Sequence, residues 1–329
     1  ARRPAAFGAS LILGGFGAPL FLFLAGVAVA MSAGSKARRG GDDRAAMRAV
    51  QKRGFQIFAL AFLFRLQSLV LSNAPAWTLL KVDILNIMGP AIVLSAALWG
   101  LSRDTRVRVA IFAAATAAFV LATPVVRAIA ALDALPNSLE GYLRPIAGLT
   151  NFTLFPWVGF VTAGGLVGVV LDQARTPEAD RRGNIWLGIA GLAIAFGAYQ
   201  ASFLPPLDPR SRFWTTSLSF FFIRLGLLIA ALGAAWLWEQ RPTRRGWSPL
   251  QQFGRSSLFV YWIHVELVYG LISLPLHGAF SLAGAWAGYV VFCAVMLGVV
   301  VAKDHVTRKY LSKIDLREKL SRQVQALLF

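Results

Sequence analysis

The side chains able to do chemistry are few, and most sit where the chain is otherwise apolar. His264 and Glu266 lie in the middle of Phe253–Gly270, a stretch that reads as a membrane-spanning helix entered from a basic loop. At 3.6 residues per turn, Ser257, Tyr261, His264 and Val268 fall on one stripe, while Glu266 lies roughly 200° round from His264. An ionisable group at bilayer depth costs about 2.5–3.5 kcal/mol on insertion scales, so such groups usually face a cavity or a partner. His264 is therefore either hydrogen-bonded to a neighbouring helix or set in a wet functional cavity. Arg65 and Arg224 pose the same question inside two further apolar blocks. They can pair with Glu266 or with helix-end carbonyls, or they can neutralise phosphates, which Arg recognises bidentately. Asp83 and Asn86 head another block, where Asp83 has the ordinary reading of an N-cap carboxylate. Glu140, Tyr142 and Arg144 lie in the long connection 127–151, which suits a lid or a polar-substrate site. Phosphate-binding Gly-rich loops, His-Glu-x-x-His and Gly-x-Ser-x-Gly are all absent. His277 and His305 fall in loops and read as solvated.

The elements that must position these residues are set by composition. The chain has 329 residues, 57% hydrophobic and 15% charged, with a mean hydropathy of +0.61. The apolar residues come in blocks near the length of about 20 that a membrane crossing needs, and no polar stretch is long enough for a soluble domain. The expected fold is all-α and polytopic. Nine spans are expected at about 10–32, 54–72, 83–101, 109–126, 151–171, 184–204, 213–238, 253–270 and 281–302. Gly164 and Gly168, and likewise Gly284 and Gly288, have the spacing of close helix contacts. Residues 1–302 thus read as a transmembrane domain. Residues 303–329 read as a basic amphipathic tail on the membrane surface, with Leu316, Leu320, Val324 and Leu327 as its apolar stripe. The lone Cys293 excludes an intrachain disulfide and a cysteine metal cluster, and no metal is expected.

The formal charge of +18 does not indicate nucleic acid, because the basic residues sit in short loops between apolar blocks. Placing alternate loops inside puts 24 of the 33 Lys/Arg in the cytoplasm, the positive-inside bias. Anionic lipid is the natural partner of that charge. Phe329 then lies inside and Ala1 outside, and a tenth helix is expected to precede Ala1. Residues 1–9 lack the features of a signal peptide.

Five segments occur in a telling order: Gly14–Gly26, Arg53–Phe58, Asp83–Gly89, Leu154–Gly159 and Gly254–His264. Together they resemble bacterial relatives of heparan-alpha-glucosaminide N-acetyltransferase, in the transmembrane acyltransferase superfamily. The resemblance implies transfer of an acyl group, typically acetyl from a cytoplasmic acetyl-CoA, to a sugar amine or hydroxyl across the bacterial inner membrane. Acyl transfer needs a base, oxyanion donors and the positioning of two substrates, for which His264 and Asp83 are the candidate catalytic residues and Asn86, Glu140, Tyr142, Arg144, Trp157, Tyr261 and Glu266 the candidates for binding the saccharide. Arg65 and Arg224 would orient the acetyl-CoA. The family's own catalytic His stands just before the segment matching Gly14–Gly26, where this sequence has none. Acyl-CoA, a saccharide and membrane lipid are the expected partners, and a homodimer is admitted. The rival reading is a transporter of an anionic solute, for which intramembrane Arg, His and Glu are equally natural.

Overall fold

The computed structural model describes residues 10, 12–72, 75–206, 213–214, 216–240 and 247–328, with side chains described except at 71–72, 269, 271–272 and 311–328. The described chain is helical throughout, with no strand. It divides into two compact units, 1–242 and 243–329.

The first unit holds α1 (Gly17–Gly40), α2 (Asp43–Ser72), α3 (Ile84–Gly100), α4 (Thr105–Ala128), α5 (Asn137–Leu143), α6 (Leu154–Leu171), α7 (Pro177–Ala201) and α8 (Leu218–Glu239). Local signals set the ends. Asp104 caps α4 by accepting from Arg106 N and Val107 N at 2.7 and 3.0 Å. Thr176 caps α7, with Pro177 in the first turn. The expected basic loop at 36–53 is instead almost wholly helical. α1 runs through Arg38 and Arg39 and stops only at Gly41, whose φ of 69° supplies the left-handed cap. Asp43 opens α2 two residues later.

α6 is the central helix. Of its apolar window 61% is buried, against 17–33% for the other long apolar helices of the unit. It packs on α1 and α4, while α2 packs on α3 and α7 on α8. The expected close contact at Gly164 and Gly168 is present. A Cβ on Gly164 would lie 2.0 Å from the Phe23 carbonyl oxygen, and one on Gly168 would lie 2.6 Å from that of Val27. Backbone therefore rests on backbone where α1 crosses α6, the arrangement small residues allow between membrane helices. Polar side chains turn inward, as in the 2.9 Å bond between Thr116 and Thr162 that joins α4 to α6. Large apolar ones such as Ile189, Leu192 and Phe196 lie exposed on α7. An apolar exterior over a partly polar interior suits a lipid surround.

The second unit holds α9 (Pro249–Arg255), α10 (Ser257–Tyr269) and α11 (Leu282–Leu328). α11 runs through residues 302 and 303 without a break. The stripe from Leu316 to Leu327 lies outside the described side chains. The contact expected of Gly288 does not occur among the described residues, for a Cβ there would meet nothing within 4 Å. His305 is helical rather than in a loop. His277, though exposed, is bonded through Nε2 to the Val268 carbonyl at 3.1 Å.

Six helices are long and apolar enough to cross a membrane among the described residues. They correspond to six of the expected nine spans. Two more, Ile84–Gly100 and Ser257–Val268, are apolar but shorter, and the remaining one lies within α2.

Candidate functional site

The polar residues of the first unit gather at its two ends. At one end the helix caps and ion pairs interlock. Arg38 makes a bidentate pair with Asp172 at 2.6 and 2.8 Å, tying α1 to the end of α6. Asp43 receives Arg108 at 3.1 Å and Arg103 at 3.4 Å, and Arg108 Nε donates to the Trp99 carbonyl at 2.9 Å. Trp236 Nε1 donates to Asp180 at 2.6 Å, closing α8 onto α7. This is the end that carries the basic segments.

The other end carries most of the sequence-selected residues of this unit. Asp83 sits in extended backbone ahead of α3, and its Oδ1 accepts from Ile84 N at 2.8 Å. Asn86, three residues on, returns the favour by accepting from Asp83 N at 3.0 Å, which completes a capping box. The other carboxylate oxygen of Asp83 takes Arg65 Nη2 at 2.6 Å, with each side chain 20% exposed. The guanidinium expected to orient a donor is thus committed to Asp83. Asn86 Nδ2 then donates to the Tyr142 hydroxyl at 3.4 Å. Tyr142 reaches it because the two connections are laced together. Val82 N donates to Leu149 O and Asn151 N to Val82 O, both at 2.9 Å. Burial pushes the Tyr142 hydroxyl above its ordinary range, against the opposing bond from Asn86. The hydroxyl therefore keeps its proton while its oxygen accepts from Asn86.

The 127–151 connection is not an open loop. A 3-10 turn at Ala130–Ala134 and α5 fold it, and Arg144 fastens it by donating to Glu140 Oε1 at 2.5 Å and to Asp133. The carboxylates of Asp133 and then Glu140 raise the Arg144 pKa further above its ordinary value. Glu140 and Arg144 satisfy one another.

Beside this connection lies a cavity of about 200 Å³ lined by Arg127, Asn151, Trp157, Ser217, Phe220 and Arg224, among others. Ser217 caps α8 and, seven residues ahead of Arg224, shares its face. The Arg224 guanidinium stacks on Phe220 at 3.8 Å. The Nε atoms of Arg127 and Arg224 are both buried without a hydrogen-bond partner among the described residues. Arg127 is the first residue of the connection 127–151 and was not among the residues singled out in the sequence. Its position at the last turn of an apolar block was the signal.

In the second unit His264 Nδ1 meets the Val260 carbonyl of its own helix at 3.1 Å. A carbonyl only accepts, so Nδ1 carries a proton, and in the neutral ring Nε2 is the acceptor. This bond lies within α10, not across to a neighbour. Tyr261 packs edge-on to His264, with centroids 5.4 Å apart, and Glu266 is half-buried on the same helix. A network missed in the sequence anchors this unit. Lys303 donates to Ser256 at 2.7 Å and pairs with Asp304 at 2.6 Å, and Gln252 donates to Asp304.

The structure thus joins Arg65, Asp83, Asn86 and Tyr142 in one network. It pairs Glu140 with Arg144 and places Trp157 with Arg224 on one cavity.

No curated protein and no solved structure matches the chain. The catalytic region of heparan-alpha-glucosaminide N-acetyltransferase matches residues 2–197, a stretch containing four of the five segments singled out above but not Gly254–His264. With well over half its length matched in this way, the chain belongs to the heparan-alpha-glucosaminide N-acetyltransferase catalytic family.

Proposed function

We propose that this protein is a membrane-embedded acetyltransferase that moves acetyl from a cytoplasmic acetyl-CoA to a sugar amine or hydroxyl on the opposite side. The observation that carries the reading is the Arg65–Asp83–Asn86–Tyr142 network, set at the end of the bundle away from the basic segments. The positive-inside bias turns the basic end toward the cytoplasm and this network toward the acceptor.

Acetyl transfer joins the acceptor nitrogen or oxygen to the thioester carbonyl carbon. The carbon–sulfur bond breaks, and the acceptor proton leaves with the coenzyme thiol. The step needs a donor for the tetrahedral oxyanion and a base for the acceptor. Tyr142, kept protonated and held by Asn86, has the form of such a donor. Asp83 has both oxygens engaged, so its part is to fix Arg65 and the α3 terminus rather than to take a proton. His264 lies in the second unit, and its part in the step is read from its own variant alone.

The test is acetyl-CoA consumption by the purified full-length protein with amino-sugar acceptors, beside Tyr142→Phe and His264→Ala. Acceptor-dependent thiol release is expected. Tyr142→Phe should lower kcat by about tenfold to a thousandfold, the range for loss of one oxyanion donor or less, with folding intact by gel filtration. Full activity in Tyr142→Phe would remove that residue from the reaction. Solute uptake into proteoliposomes without any thioester turnover would favour the transporter instead.

A further inference from the structure

The cavity holding Arg127 and Arg224 has the makings of a binding site independent of acetyl transfer. Two guanidinium groups come to one space of about 200 Å³ from different helices, α4 and α8. Each has a buried Nε with no partner among the described residues. Among those residues no salt bridge to a carboxylate engages either one, whereas Arg38, Arg65, Arg103, Arg108 and Arg144 all have such partners. A half-buried cation whose Nε is shut off from water and left without a partner is costly, so the protein retains two of them where an anion can supply the missing charge. The first turns of α6 and α8 also border the space through Trp157, Ser217 and Phe220, and helix N-termini favour negative charge.

A second space adjoins it. A groove of about 720 Å³ between α4, α7 and α8 is lined by Leu121, Pro124, Ile194, Ala198 and Phe222, and Ser217 borders both spaces. The groove walls belong to three of the helices long and apolar enough to span a membrane. A charged pocket opening beside an apolar channel fits one class of molecule. We propose that the two spaces together hold a phosphate-bearing lipid, with the phosphate between Arg127 and Arg224 and a chain along Leu121, Ile194 and Phe222. Arg is suited to the first contact because its planar fork binds phosphate oxygens bidentately.

The test uses the full-length protein in detergent and a brominated-chain phosphatidic acid, whose contact quenches tryptophan emission, with Trp157 and Trp214 beside the phosphate pocket. Saturable quenching is expected, weakened about tenfold or more in the Arg127→Gln/Arg224→Gln pair through loss of charged hydrogen bonds. Ala198→Phe fills the groove without touching the arginines. It should weaken phosphatidic acid binding while leaving displacement by inorganic phosphate unchanged, and it keeps the proposal open to refutation if the double variant fails to fold. Brominated diacylglycerol binding as tightly as phosphatidic acid would overturn the phosphate contact. Inorganic phosphate displacing the probe at equal concentration, with Ala198→Phe indistinguishable from the parent, would show a site for a soluble anion and overturn the lipid.

Discussion

The two ends of the first unit differ in how completely they pair their half-buried arginines. At the basic end, Arg38, Arg103 and Arg108 reach Asp172 or Asp43, and Arg108 lies over the Trp99 ring at 3.7 Å besides. There the acidic residues act as fasteners between helices that would otherwise repel through their basic segments. At the other end Arg65 has Asp83 and Arg144 has Glu140 and Asp133. Arg127 and Arg224 keep a buried Nε without any partner among the described residues. Pairing serves the fold at both ends; its omission at Arg127 and Arg224 is an arrangement that stability alone does not explain, because an unpaired half-buried charge lowers it.

That contrast is most directly broken by removing one charge from each end. Asp43→Ala strands Arg108, whose side chain is 11% exposed, together with the exposed Arg103. Breaking a buried pair costs about 3–5 kcal/mol. With Asp43 itself 23% exposed, solvent screening brings the expected loss to about 2 kcal/mol. Arg127→Met, by contrast, removes a charge that had no partner and should change stability by less than about 1 kcal/mol, or raise it. Thermal unfolding of both variants in one detergent checks the pair. A large loss in Arg127→Met would mean that the guanidinium is held by contacts the ion pairs do not reveal, and the contrast would fall.

The next effect concerns the ion pair within the acceptor network. Asp83→Ala removes an N-cap, worth about 1 kcal/mol, and the partner of Arg65. A loss of about 1–2 kcal/mol is expected, with the 20% exposure of each side chain keeping the pair's share below that of a fully buried pair. Asp83→Asn keeps the cap and drops only the charge, so it should recover about half of that loss. Equal losses in the two variants would assign all the stability to the pair and none to the cap.

Much of this was legible in the residues. The apolar blocks located the helices, Asp83-Ile-Leu-Asn86 announced a helix start, and Gly164 and Gly168 announced a close crossing, because caps and small-residue faces depend on spacing within one element. The seven-residue interval from Ser217 to Arg224 likewise put both on one face. What stayed hidden depends on how separate elements come into register. Arg65 on α2 meets Asp83 at the start of α3, a contact between two elements that the pattern within either one does not signal. The Val82–Thr150 bridge that brings Tyr142 to Asn86 joins connections that are 68 residues apart, a contact without local sequence signal. The helical course of 36–53 was hidden for another reason. Its charges resemble a loop, but Asp172 and the α2–α3 contact stabilise a helix there, and only Gly41 and Asp42 interrupt it.

The smallest expected effect tests the network's state of protonation. Burial raises the Tyr142 pKa above its ordinary value of 10.0. In the unfolded chain the phenol loses its proton at that ordinary value, while in the fold it holds on to higher pH. Between those two points the unfolded state binds fewer protons than the native one, so stability falls as pH rises. The contribution is fully present below about pH 10 and is lost as pH climbs through the folded value. Tyr142→Phe has no proton to lose, so its unfolding temperature should decline less steeply than the parent's over that alkaline range, while the two run parallel near neutrality. Curves that stay parallel throughout would mean that the hydroxyl titrates as freely in the fold as in the unfolded chain. It would then not be the shielded hydroxyl that distinguishes this end from the basic one.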